Sequence, residues 1–291
     1  MNARVAVLTL LPIASLTAAA QQPTFLSEAA SVVLDVSVTQ NGKPVIGLTA
    51  KDFHVTDRKV VQTVADVSRE QFPVDVTFVL DLVGSVEGPW LDGVRRAVET
   101  LRTALGGDDR ARLVIFDPRI REIPGLEYGP IRITAENRPN EGGASSLFDA
   151  VAISLVRETD ADYRRMAIVL TDGQDGGSFL DEAELLDVAS RSDLTVFVVA
   201  VTDGTTRVPQ RPANERLLQA LADTTGGALT IVQRDADLAA SFVQKLEEFR
   251  TSYVVRYTPA GSPAPGWHDV TVRLNRPGNF SVRARKGYFG S

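Results

Sequence analysis

Two kinds of hydrophobic pattern divide this chain. From Ser31 to Thr39 apolar and polar positions alternate, with Val32, Leu34, Val36 and Val38 on one side. A period of two predicts a strand with one buried face. Asn41-Gly42 follows, a dipeptide suited to a two-residue hairpin turn. Val45-Ile46, Phe53–Val55 and Val60–Val67 predict further short strands. From Val74 the pattern changes. Val74–Leu80, Arg112–Phe116, Met166–Leu170, Leu194–Val201 and Ala228–Val232 are compact apolar runs, the mark of strands buried on both faces. Between them Gly88–Leu105, Leu147–Val156, Asp181–Ser190, Glu215–Ala222 and Asp235–Phe249 predict helices. In the first, Leu91, Val94, Val98, Leu101 and Leu105 share one face; in the last, Leu238, Phe242, Leu246 and Phe249 do. After Arg250 alternation returns at Tyr253–Tyr257, His268–Leu274 and Phe280–Ala284.

Strands separated by helices predict an α/β fold with a doubly wound, mostly parallel sheet. The β segments on either side of it are each too small to bury a core alone. They are expected to join into one accessory β-sandwich-like domain with the α/β domain inserted between them. The expected boundaries are 1–20 for an export signal, 21–73 for the first β segment, 74–249 for the α/β domain and 250–291 for the second β segment.

Composition narrows the function. The chain has 291 residues, a net charge of −6 and no cysteine, so neither disulfides nor thiol chemistry enter. Acids and bases are interspersed, and no basic stripe is offered to nucleic acid. No G-x-G-x-x-G or Walker A sequence occurs. Arg4, the apolar stretch Val5–Leu16 and the small residues Thr17-Ala-Ala-Ala20 read as a secretory signal cleaved after Ala20. The expected location is therefore periplasmic or secreted, with no transmembrane span after cleavage. An uncleaved anchor is the competing reading.

Candidate chemistry lies in three polar turns. Asp81-Leu-Val-Gly-Ser85 directly follows the run at Val74–Leu80. Thr171-Asp172-Gly173 follows Ala167–Leu170, and Gly142-Gly-Ala-Ser-Ser146 opens a helix. Carboxyl ends of parallel strands form a sheet's ligand-binding edge. Asp and Ser oxygens gathered there suit a hard divalent cation.

These residues resemble the von Willebrand factor type A domain, and within it the bacterial VWFA-related proteins abundant in Acidobacteria. That family's metal-ion-dependent adhesion site uses Asp-x-Ser-x-Ser, a Thr on a second loop and an Asp on a third. Asp81 and Ser85 match the first motif, while Val83 stands at its first Ser. Gly142-Gly-Ala-Ser-Ser-Leu-Phe-Asp-Ala150 resembles the second loop and places Ser145 at the Thr position. Leu170-Thr-Asp-Gly-Gln-Asp175 resembles the third, with Asp172 at the metal-associated position. The resemblance covers roughly Ala30 to the C-terminus. It implies Mg²⁺ or Mn²⁺ held by Asp81, Ser85, Ser145 and Asp172, with a protein partner's acidic residue completing the octahedron. Mg²⁺ keeps several waters, one of which such a carboxylate displaces.

Val83 supplies no ligand, which leaves two readings open: a metal-dependent adhesion-type module, or a metal-free scaffold of an envelope assembly in which Asp81 caps a turn. Glu87 and Asp175 are nearby acids that could compensate. A metal-assisted hydrolase is a third reading, but the loops offer acids without a His or Lys base, so no enzyme is expected. His54 and His268 read as ordinary strand positions. Arg283, Arg285 and Lys286 read as a basic guard on an edge strand. Gly226-Gly227 reads as a helix C-cap.

Overall fold

A computed structural model describes residues 31–69, 72–82, 89–117, 119–123, 144–157, 160, 162–202, 211–233, 237–260 and 265–290. Residues 1–20, expected as an export signal, and the lead that follows them lie outside the described residues. The chain opens with β1 (Val32–Gln40), β2 (Lys43–Pro44), β3 (Phe53–Asp57), β4 (Val60–Gln62) and β5 (Val64–Ser68). It continues through β6 (Val74–Asp81), α1 (Pro89–Ala104), β7 (Arg110–Phe116), β8 (Ile120–Ile123), α2 (Leu147–Leu155) and β9 (Arg164–Thr171). Then come α3 (Glu182–Arg191), β10 (Thr195–Thr202), α4 (Glu215–Thr225), β11 (Leu229–Gln233) and α5 (Leu238–Arg250). It closes with β12 (Tyr253–Tyr257), β13 (Gly266–Leu274), β14 (Ser281–Arg283) and β15 (Gly287–Gly290).

The central sheet runs β11-β10-β9-β6-β7-β8. All its pairings are parallel except β7 with β8, which is antiparallel. Side-chain alternation sends each strand's residues to two cores. Val76, Phe78 and Leu80 of β6 pack with Leu91, Val94 and Leu101 of α1 and Phe242 and Leu246 of α5. Val79, with Ala167, Val169, Val196 and Val198, packs against Leu147 and Val151 of α2, Leu185 of α3 and Leu218 and Leu221 of α4. Burial on both faces is why these strands read as unbroken apolar runs.

The strands before β6 pair with those after α5. β1 is antiparallel to β12, with Val32 opposite Tyr257 and Val36 opposite Tyr253. β13 is antiparallel to both β3 and β15. One sheet runs β14-β1-β12-β5 with β2 on β1; the other runs β15-β13-β3-β4. Leu34, Val36, Phe53, Val55, Tyr253, Val255, Tyr257 and Val270, drawn from both sheets, form one buried cluster.

Several details depart from the sequence pattern. Asn41 and Gly42 both have positive φ, at 52° and 75°, and close a tight hairpin that pairs Gln40 with Lys43. Pairing therefore begins at Lys43–Pro44 rather than at Val45-Ile46; Ile46 is 70% exposed. The expected single strand Val60–Val67 is two strands that break at Thr63 and join different sheets. β8 and β15 were not visible in the pattern.

His268 is not an ordinary strand position. It is buried, with Nδ1 2.8 Å from Asp57 Oδ1 and its ring stacked on Tyr288 at 4.6 Å. Asp57 Oδ2 accepts from the hydroxyls of Tyr257 at 3.0 Å and Tyr288 at 2.7 Å. Both phenols are pushed up, burial being the larger cause and the Asp57 carboxylate the next; Tyr288 reaches about 12.

β14, which carries Arg283, does lie at a sheet edge, but the basic run is tied to the helices rather than left to solvent. Arg283 pairs with Glu248 of α5, Arg285 donates to the Ser190 carbonyl near the end of α3 at 3.1 Å, and Lys286 pairs with Asp223 of α4 at 2.9 Å. Gly226 caps α4 at φ +85°, and a Cβ there would lie 2.6 Å from the Arg285 nitrogen. Arg164, the first residue of β9, reaches Asp35 of β1 and also donates to the Phe249 carbonyl at 3.0 Å and Ser252 Oγ at 2.6 Å.

Candidate metal and ligand site at the carboxyl ends of the strands

The Leu80–Leu170 register of β6 and β9 brings Asp81 and Thr171 side by side at the ends of two central strands. Thr171 is buried, and its hydroxyl donates to Asp81 Oδ2 at 3.0 Å. That hydroxyl also accepts from Gly173 N at 2.9 Å, which orients it. Ser145, buried just before α2, donates to the same Asp81 oxygen at 3.4 Å. One carboxylate oxygen thus gathers hydroxyls from two other loops.

Asp172 follows Thr171 and turns its carboxylate onto its own loop. Oδ1 accepts from Gln174 N at 2.9 Å and Oδ2 from Gln174 Nε2 at 3.3 Å. Ser85 lies outside the described residues, as do Val83 and Glu87. Thr171 went unrecognised as a site residue in the sequence. What points to it is strand register: a hydroxyl at the end of the strand next to the one bearing Asp81.

The second and third loops are laced together. Gly176 N and Gly177 N donate to the Ser145 carbonyl at 3.0 and 2.8 Å. Gly177 allows this approach because a Cβ there would stand 2.8 Å from Ser146 Oγ. Asp175 Oδ1 accepts from Phe148 N in the first turn of α2 at 3.2 Å, and from Ser178 Oγ at 2.6 Å. Asp175 thus satisfies an otherwise free donor at the helix's positive end. Asp149 returns the arrangement, accepting from Phe179 N at 2.9 Å and Leu180 N at 3.0 Å. A fourth segment braces Asp172. Ala213 N donates to the Asp172 carbonyl at 3.0 Å, and Asn214 Nδ2 to the Gly173 carbonyl at 3.1 Å.

The donor set is carboxylate and hydroxyl oxygen, the ligand type of Mg²⁺ and Mn²⁺. Asp81, Ser145 and Thr171 already share one oxygen, so the described residues fit such an ion. Among the described residues no group of three or more His, Cys, Asp or Glu forms a metal cluster, and no helix is long and apolar enough to cross a membrane.

An open α/β sheet with polar loops at the carboxyl ends of its strands defines a ligand-binding class of fold. The chain belongs to the von Willebrand factor type A domain family, whose model matches residues 75–245. Domains of this family commonly bind proteins and commonly hold a divalent metal at such loops. An uncharacterized protein of Synechocystis is 25% identical over 193 residues, which is 64% of this chain and 44% of that protein. The chain thus spans less than half the length of that relative. Among solved structures, BatB of Bacteroides thetaiotaomicron matches with 19% identity and a TM-score of 0.44, covering 60% of this chain and 98% of its own. A von Willebrand factor type A protein of Catenulispora acidiphila matches with 13% identity and a TM-score of 0.47, over 91% of this chain and 75% of its own.

Proposed function

We propose that this chain is an exported, non-enzymatic protein-binding module. In this reading residues 74–249 form the binding domain, inserted into a β-sandwich-like support built from residues 21–73 and 250–291. Asp81, Ser145, Thr171 and Asp172, with Ser85, would hold Mg²⁺ or Mn²⁺. The ion would supply a positive docking point for an acidic side chain of the partner. The observation that carries this is the Asp81 Oδ2 hub, which receives hydroxyls from both the second and the third loop. The pairing of β1 with β12 and of β3 with β13 supports the inserted arrangement.

A second reading is a metal-free scaffold. It is favoured by Asp172, whose two carboxylate oxygens are already engaged by Gln174. Titration calorimetry with Mg²⁺ and Mn²⁺ on the wild type, Asp81→Ala and Val83→Ser separates the two. The metal-dependent reading expects binding by the wild type, none by Asp81→Ala, and tighter binding by Val83→Ser, which adds a hydroxyl ligand. No heat of binding in either the wild type or Val83→Ser would establish the scaffold.

A further inference from the structure

Phe179 is 98% exposed, more than any other exposed large apolar residue among those described. It does not sit on a slack loop. Its own amide is bonded to Asp149 Oδ2, and the next amide, of Leu180, to Asp149 Oδ1. The preceding Ser178 bonds Asp175 and accepts from Asp149 N. Leu180 is half-buried and packs against the core cluster that holds residues of α2, α3 and α4. Asp181 then caps α3 in a capping box with Glu184. The backbone on both sides of Phe179 is therefore fixed, and the side chain projects from a rigid mount.

The mount belongs to the candidate site. Gly177, two residues before Phe179, donates to the Ser145 carbonyl at 2.8 Å, and Asp149, which holds the Phe179 amide, lies in the first turn of α2, whose N-cap is Ser146. An exposed aromatic on an ordered backbone loses little conformational freedom when it is covered, the condition under which apolar burial converts best into affinity. Rigid aromatics are also the usual anchors of protein interfaces.

We propose that Phe179 is the hydrophobic anchor of the partner interface, paired with the metal site. This rests on the metal-dependent reading above. The partner it fits is a protein segment carrying a carboxylate for the ion and an apolar side chain or pocket for Phe179. The recognised element is therefore a segment carrying both an acidic residue and an apolar residue. The surrounding loops carry Asp81, Asp149, Asp172 and Asp175, so an acidic segment would be repelled without the cation. Apolar contact and metal would have to act together.

A random peptide library displayed on phage, selected against the full chain in Mg²⁺, tests this. Selected peptides are synthesised and titrated against the wild type, Phe179→Ala and Phe179→Leu, each with and without EDTA. The expected result is enrichment of peptides that carry both an acidic and an apolar residue. Affinity should fall about tenfold or more in Phe179→Ala and be largely kept in Phe179→Leu. Unfolding midpoints of both variants should match the wild type, since the ring is uncovered. Metal-dependent peptides that bind Phe179→Ala and wild type equally overturn the anchor and leave the metal site standing. Peptides that need Phe179 but ignore EDTA keep the anchor and overturn the metal reading. A library yielding no Phe179-dependent binder also overturns the anchor.

Discussion

Thr171 Oγ1 donates to Asp81 Oδ2 at 3.0 Å while accepting from Gly173 N, so one buried hydroxyl ties the ends of β6 and β9 to the loop that follows. Replacing it with valine keeps the shape and removes both bonds. A buried amide and a carboxylate lose a partner, which costs about 1–3 kcal/mol. Thr171→Val should lower the urea midpoint without changing the slope, and Thr171→Ser should restore most of it. A Thr171→Val midpoint equal to wild type would show that water replaces the hydroxyl at no cost.

Gly173 is the tightest point of the third loop. Its φ is +85°, and a Cβ would sit 1.9 Å from the Ala213 carbonyl oxygen. Gly173→Ala should therefore push the Asp172 loop away from Ala213 and Asn214, breaking the Ala213–Asp172 and Asn214–Gly173 bonds. A loss of roughly 2 kcal/mol or more is expected from strain and lost bonds. Amide hydrogen exchange should rise at Ala213 before it rises in β9. Unaltered protection at Ala213 would show that the loop absorbs the methyl.

Arg164 holds the outer strands to the α/β body. Its side chain is 9% exposed, it pairs with Asp35 and two further acceptors, and it lies over the Phe249 ring at 4.3 Å. Arg164→Met keeps the apolar stem but takes the guanidinium from Asp35; the Phe249 carbonyl keeps its bonds from Ser252. A loss of roughly 2–4 kcal/mol is expected, and Asp35→Asn should cost less because Asp35 is partly in water. Chemical unfolding of the three proteins gives the order. Asp35→Asn costing as much as Arg164→Met would move the weight from the carbonyl and hydroxyl contacts to the ion pair.

The Tyr257 and Tyr288 phenols set an alkaline limit. An unfolded tyrosine ionises near pH 10, while Tyr257 and Tyr288 stay neutral to higher pH, Tyr288 to about 12. Because the folded value is raised, this contribution is complete below pH 10 and is lost as pH climbs through the folded values. Stability should fall from about pH 10 upward. In Tyr288→Phe that fall should be shallower. Phenolate absorbance of the native protein should lag that of the urea-unfolded chain; coincident titration curves would sink the prediction.

The strands and helices of the α/β stretch were legible because burial on both faces leaves unbroken apolar runs, as at Val74–Leu80 and Leu194–Val201. Tyr253–Tyr257 reads residue for residue as its strand. β8, Ile-Arg-Glu-Ile, was illegible because an antiparallel edge strand buries too little to leave a pattern. Val60–Val67 read as one strand because alternation is blind to a change of sheet. Asp81 and Ser145 were legible as polar residues next to predicted elements. Thr171 was not, because its role depends on which strands are neighbours. The Asp57–His268 pair was hidden for the same reason: alternation says which residues share a side, not that a polar side is enclosed.

The outer strands also set an order of assembly. Val32 lies opposite Tyr257, so during synthesis β1 leaves the ribosome long before its partner exists. β6 through α5 is continuous in sequence and makes its central sheet from its own strands. It can collapse first, as segments made early generally do. Until β12 arrives, Leu34, Val36 and Val38 lack the cover of Tyr253, Val255 and Tyr257, and closing so long a loop is slow. Nascent and stalled chains therefore carry an exposed strand template, and the vulnerable interval ends only when β12 through β15 have been made.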